Sequence, residues 1–200
     1  MEVRELTVTI LTHLDELENA STSWIRNTEI ADRQVEQAPD HDQGLLVRAS
    51  ESQVQDQTRL FDVLEAFLAS WARLSLLLFP LTKSGIGSDF TKARGEGIRN
   101  ALGVDVNSAF ANRDLRDAWM HFDERLDAAV SGGTFGSRHR FVRSERAGDY
   151  VDNTLRLVEV DTLVVRYLDR RGQARAVDLR TAKQELLDID AAAGRAMIAG

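Results

Sequence analysis

Leu60, Leu64, Phe67, Leu68, Trp71, Leu74 and Leu78 recur at three- and four-residue spacing and stop at Pro80. That period lines them up on one side of a helix, and so long an apolar stripe has to be covered by other elements. The chain must therefore fold around this helix. Pro80 ends it, because proline lacks the amide hydrogen and crowds the preceding turn. Phe67 and Trp71 share the leucine face, which makes them packing residues rather than a platform for stacking bases.

The segments on either side supply the cover. Leu6, Ile10, Leu14 and Leu17 form a stripe that continues less regularly through Trp24, Ile25, Ile30 and Val35, so residues 2–37 read as one long helix or two consecutive ones. A breaker cluster at 38–44 marks a loop, and the helical pattern resumes near Leu45. Gly85 and Gly87 lie in a turn, Ser88 caps a short helix over 89–102, and Asn107 or Ser108 caps an amphipathic helix over 107–130. In that helix Leu115, Ala118, Trp119, Phe122, Leu126 and Ala129 form the apolar side.

At 131–136, a run holding Gly132, Gly133 and Gly136, the hydrophobic period changes from 3.6 to 2. Strands are expected over 138–143, 154–160, 161–168 and 174–179, with Asp169 to Gly172 as a hairpin turn, and a closing helix over 181–197. The expected fold is mainly α: an antiparallel helical bundle over 1–131, then a small C-terminal β-meander and a terminal helix over 132–200, α+β overall. The second part is expected to pack on the first.

Composition narrows the function. The chain has 200 residues, 43% hydrophobic content and no cysteine, which excludes disulfides, thiolate metal sites and a cysteine nucleophile. The acidic, amphipathic start does not resemble a signal peptide, and the most apolar run, Leu74 to Leu81, is too short to span a bilayer. A cytoplasmic protein without a membrane segment or cofactor is expected. A net charge of −7 argues against nucleic-acid binding through bulk electrostatics, so any RNA contact must be local. Arginine outnumbers lysine 22 to three, a bias that fits a GC-rich coding sequence better than a binding function.

The polar chemistry concentrates on 107–130. Arg113, Asp117 and His121 follow one another at i, i+4 and i+8, with Arg116 on the opposite edge of the polar side. A carboxylate one turn before an imidazole can hold its tautomer and raise its basicity, while arginines supply fixed positive charge for a phosphate. The same residues can equally form a solvated pair worth a few tenths of a kcal/mol. Elsewhere, His13 reads as a solvent-facing residue and His41 as part of a polar turn, and no metal-ligand spacing occurs. The glycines of 85–97 lack the strand-glycine-helix arrangement of a phosphate loop. Arg138, His139, Arg140, Arg143 and Arg146, interleaved with Phe135, Phe141 and Tyr150, could line a nucleic-acid groove; an exposed edge ribbon whose charges discourage pairing explains them better.

Arg116-Asp-Ala-Trp-Met-His121 resembles the R-x4-H signature of HEPN domains, including the polar residue that follows the arginine, and stands on a late helix of a helical bundle as in that family. The resemblance covers residues 1–130, and its specific part is six residues. Many HEPN proteins are metal-independent ribonucleases of toxin-antitoxin and phage-defence systems; others keep only a nucleotide- or RNA-binding role. The resemblance implies a homodimer in which two sites meet, His121 serving as acid or base at the ribose 2′-hydroxyl and Arg116 stabilising the scissile phosphate. Asp117 would orient His121, Arg113 and Asn112 would contact phosphate, and an antitoxin-like protein would be a partner. The tyrosine that some members carry two residues after the histidine is replaced by Asp123, so no role of that tyrosine carries over. The alternative is a non-catalytic helical-bundle interaction or nucleotide-binding protein acting as a dimer. Asp117→Asn should lower the apparent pKa of His121 by a few tenths of a pH unit if the pair is exposed; an unchanged NMR titration of His121 would reduce the row to a solvated helix face.

Overall fold

The computed structural model describes residues 2–37, 43–81, 88–120, 127, 131, 140–150, 154–169 and 173–198. Two long helices, α1 (Glu2–Gln37) and α2 (Gln43–Leu78), form a hairpin. They run antiparallel: Asn27, in the second half of α1, donates to Asp56, in the first half of α2, at 2.9 Å, while Leu6 and Thr9 lie beside Arg73 and Leu77. α1 is one helix. Three of its threonines satisfy their hydroxyls by bonding back one turn, Thr9 to Glu5, Thr12 to Val8 and Thr22 to Glu18, at 2.8 to 2.9 Å.

The stripe of α2 is buried along its whole length, from Leu60 to Leu78. It receives Ile10, Leu14 and Leu17 from α1, and the ring of Trp71 packs on Phe110 with centroids 4.3 Å apart and on Phe67 at 5.5 Å. The aromatics are packing residues, as their spacing requires. α3 (Ser88–Leu102) returns beneath the end of α2, where the Arg99 guanidinium donates to the Leu78 carbonyl and sits 4.8 Å from the centre of the Phe79 ring. Gly95 permits this approach, since a side chain there would collide with the Pro80 ring.

A four-stranded sheet follows, made of β1 (Arg140–Val142), β2 (Arg156–Glu159), β3 (Val164–Leu168) and β4 (Ala174–Asp178) in that order across the sheet. β2, β3 and β4 form the expected antiparallel run, with Leu168 opposite Ala174 across the predicted hairpin. β1 departs from the meander, because it pairs with β2 in parallel, Phe141 opposite Val158. Alternating hydrophobicity does not encode strand direction. Nor does the length of the connection: a parallel pair needs a crossover of roughly a dozen residues, which the stretch from Arg143 to Leu155 permits without requiring it.

Phe141, Val158, Val165 and Val177 form a row across all four strands and join the same hydrophobic cluster as the helices. On the opposite face Val142 and Leu157 are covered by a 3-10 segment, Ser144–Asp149, through Ala147 and Tyr150. Two coverings explain why all four residues of β2 are buried. Inside the sheet the Glu159 carboxylate is held by Arg166 at 2.5 Å and by Thr162 at 2.7 Å.

The terminal helix α5 (Leu179–Ile198) lies antiparallel on α1. Thr7 meets Asp190 at one end, and at the other Lys183 bridges Asp15 at 2.8 Å and Glu18 at 3.0 Å. The hydrogen bond to Asp15 is the main reason the Lys183 ammonium is held above its ordinary pKa, against the opposing pull of desolvation. Among the described residues no helix is long and apolar enough to cross a membrane.

Leu64→Ala should cost about 2 to 5 kcal/mol, because the surrounding helices cannot close the hole. Phe90→Ala, at a side chain 75% exposed, should stay within about 0.5 kcal/mol; urea unfolding of the two variants tests which aromatic and aliphatic positions carry the core.

Candidate functional site

The segment bearing the R-x4-H motif is reached through a series of capped turns. Gly103 adopts φ 68°, and Val104 closes α3 by donating to the Arg99 carbonyl at 2.9 Å. Ser108 then caps a 3-10 turn over Ala109–Ala111, accepting from Phe110 N. The helix predicted from 107 therefore begins later, as α4 (Arg113–Met120), with Asn112 as its cap. Asn112 Oδ1 accepts from Asp114 N at 3.0 Å, and Nδ2 donates to the buried Tyr167 hydroxyl at 3.1 Å. Ser75 holds the same corner by donating to the Phe110 carbonyl at 2.7 Å.

Asn112, read from the sequence as a phosphate contact, is thus engaged in starting α4 and tying it to β3. Asp117 was placed on the polar side of the helix, yet it is only 7% exposed, alongside buried Leu115 and Ala118. The reason is tertiary. α4 packs against α2 and β3 together, so its covered arc is wider than the apolar positions alone define. In the sheet, Arg156 stands opposite Tyr167 in the register and is itself buried. The side chains of Arg113 and Arg116, and all of His121, lie outside the described residues. His13 is partly exposed, with Nδ1 3.5 Å from Glu16 Oε2. His41, Arg138 and His139 lie outside the described residues.

A second constellation appears at the other end of the molecule, in a cleft of about 810 Å³ between the α1–α2 hairpin and β1 with its 3-10 segment. Arg140, Arg143 and Arg146 all line it, so part of the basic set noted in the sequence is gathered here. The Arg140 guanidinium lies 4.1 Å from the centre of the Tyr150 ring, and Arg146 donates to the Tyr150 hydroxyl at 2.8 Å. Arg143 reaches across to Glu29 of α1 at 3.1 Å. Its Nε lies 3.5 Å from the Glu145 carboxylate without the alignment of a hydrogen bond.

Acidic residues balance the wall: Glu29, Asp32 and Glu145 also line the cleft. Sequence reading missed α1's contribution to it. Trp24 and Thr28 are helical residues whose indole nitrogen and hydroxyl are buried without hydrogen-bond partners among the described residues. Nothing in the helical period distinguishes them from packing positions. The basic side of the cleft is held by Asp161, which accepts from Ser144 N at 2.7 Å and from Ser144 Oγ at 2.6 Å.

No protein-family model matches the chain, and no curated protein or solved structure matches it at a significant level.

Desolvation pushes the Asp161 carboxyl up, but the two Ser144 hydrogen bonds and the nearby Arg143 charge outweigh it and hold the pKa below the ordinary carboxylate value. A depressed folded-state pKa contributes stability above the unfolded pKa of about 3.9, and that stability is lost as pH falls through the folded value. Asp161→Asn should therefore lower stability at neutral pH, and the gap to the native chain should narrow below about pH 4; thermal unfolding across pH 2 to 7 measures it.

Proposed function

We propose that the chain is a HEPN-like, metal-independent endoribonuclease acting as a homodimer in the cytoplasm, with an antitoxin or phage-defence partner. The observation that carries this reading is the Arg116-to-His121 spacing, which begins on α4 with Asp117 drawn off the solvated face. A carboxylate is costly to bury without polar company, so Asp117 is poorly described as half of a solvated surface pair. α4 is also a firm mount: its cap is bound to β3, and Leu115 and Ala118 are locked in the core.

In the proposed reaction His121 takes the proton of the ribose 2′-hydroxyl as that oxygen forms a bond to phosphorus and the bond to the 5′-oxygen breaks. The departing oxygen takes a proton from the imidazolium of the second copy, and Arg116 stabilises charge on the phosphate. Residues i and i+5 of a helix point about 140° apart, so completion of the site by the second subunit fits the spacing. Asp117 acts as a positioning residue for this pair.

A non-catalytic interaction or nucleotide-binding role is the second reading, favoured by Asn112, whose amide is engaged within the fold rather than presented to a ligand. Incubation with total RNA plus EDTA separates the two. Cleavage should persist in chelator, and Arg116→Ala and His121→Ala should each reduce it by about a hundredfold or more while leaving the circular dichroism spectrum unchanged. Loss of activity in EDTA with recovery on adding a divalent ion would overturn the mechanism, and RNA binding without cleavage would support the second reading.

A further inference from the structure

We infer that the cleft beside β1 is a binding site for a short extended peptide with free termini, which adds as a strand to the β1 edge.

The first support is the position of β1. It is the outermost strand, paired only with β2 among the described strands. Successive residues of a strand point to opposite faces, yet Arg140, Phe141 and Val142 all line the cleft. The cleft therefore runs along the strand's edge, where backbone donors and acceptors are offered to an incoming chain. The helical hairpin forms the opposite wall, so the space admits a single peptide rather than another sheet.

Charge supplies the second. Within the lining, Arg143 is engaged by Glu29 and Glu145, and Arg146 lies 3.8 Å from Asp149. Among the described residues Arg140 and Asp32 form no ion pair, one of each sign on a charge-balanced wall. A polyanion such as RNA would meet Glu29, Asp32 and Glu145 as well as the arginines. A zwitterionic peptide meets complementary charge at both ends, its carboxylate at Arg140 and its ammonium at Asp32.

The third is the wall between them. Ile25 and Phe61 are half-buried there and Val54 is 61% exposed, an apolar strip suited to one aliphatic or aromatic side chain. Trp24, itself 8% exposed, adds to the same wall an indole N–H without a partner among the described residues. The inference does not depend on ribonuclease activity, and either can fail alone.

The test is calorimetric titration of the full chain with tripeptides Ala-X-Ala, X being Leu, Ile, Val or Phe. At least one should bind saturably. The binder should lose about tenfold or more in affinity on acetylation of its amino end, on amidation of its carboxyl end and on N-methylation of its central residue. Free leucine should bind about tenfold more weakly still, lacking the backbone groups for β1. Asp32→Asn and Arg140→Ala should each produce a similar loss, and because Asp32 is on an exposed helix surface its variant reports on binding without disturbing the sheet. No binding by any tripeptide up to about 10 mM, or binding indifferent to the end modifications and to Asp32→Asn, would overturn the inference.

Discussion

The packing of Trp71 against Phe110 is the joint on which the rest of the molecule depends. Trp71 lies in the middle of the α2 stripe, and Phe110 belongs to the short turn that delivers the chain to α4. Their contact, with the Ser75 hydroxyl on the Phe110 carbonyl, fixes the corner from which Asn112 starts α4 and reaches Tyr167. Helix hairpin, motif helix and sheet are thereby joined through one buried point. Buried aromatic pairs suit this role, because they combine large apolar area with a preferred ring geometry.

The two candidate sites occupy different margins of that core. α4 packs against α2 and β3, and Asp117 is drawn into the interior with it. The cleft lies where the sheet ends at β1 and the α1–α2 hairpin continues past it, so space remains between a strand edge and a helical wall. Its basic side is kept in place by Asp161 and Ser144, and the Arg143–Glu29 ion pair links it to α1. The first margin fits chemistry on a rigid helix, and the second fits recognition along a backbone.

Much of the architecture was legible because helices and strands bury their residues with different periods. Leu60 to Leu78, Ile10 to Leu17 and the β3–β4 hairpin all appear where spacing and turn residues put them. The start of the motif helix was read too early, since Asn107, Ser108 and Asn112 are all competent caps and only packing of Phe110 chooses among them. The parallel pairing of β1 was not legible in its residues, which alternate alike in either direction. Asn112 and Asp117 were singled out by type and spacing, but their engagement in cap and core was not legible.

The sequence by itself determined which residues are apolar, at what period, and where glycine, proline and capping side chains interrupt them. These mark most of the helices and strands in order, because hydrophobic period and turn residues are properties of neighbouring positions. Only the tertiary structure decided the burial of Asp117, the direction of β1, and the meeting of Trp24, Asp32 and Arg140 around one cleft. Those depend on which surfaces come to face each other across stretches of chain longer than a helical turn or a hairpin, and no local period encodes that.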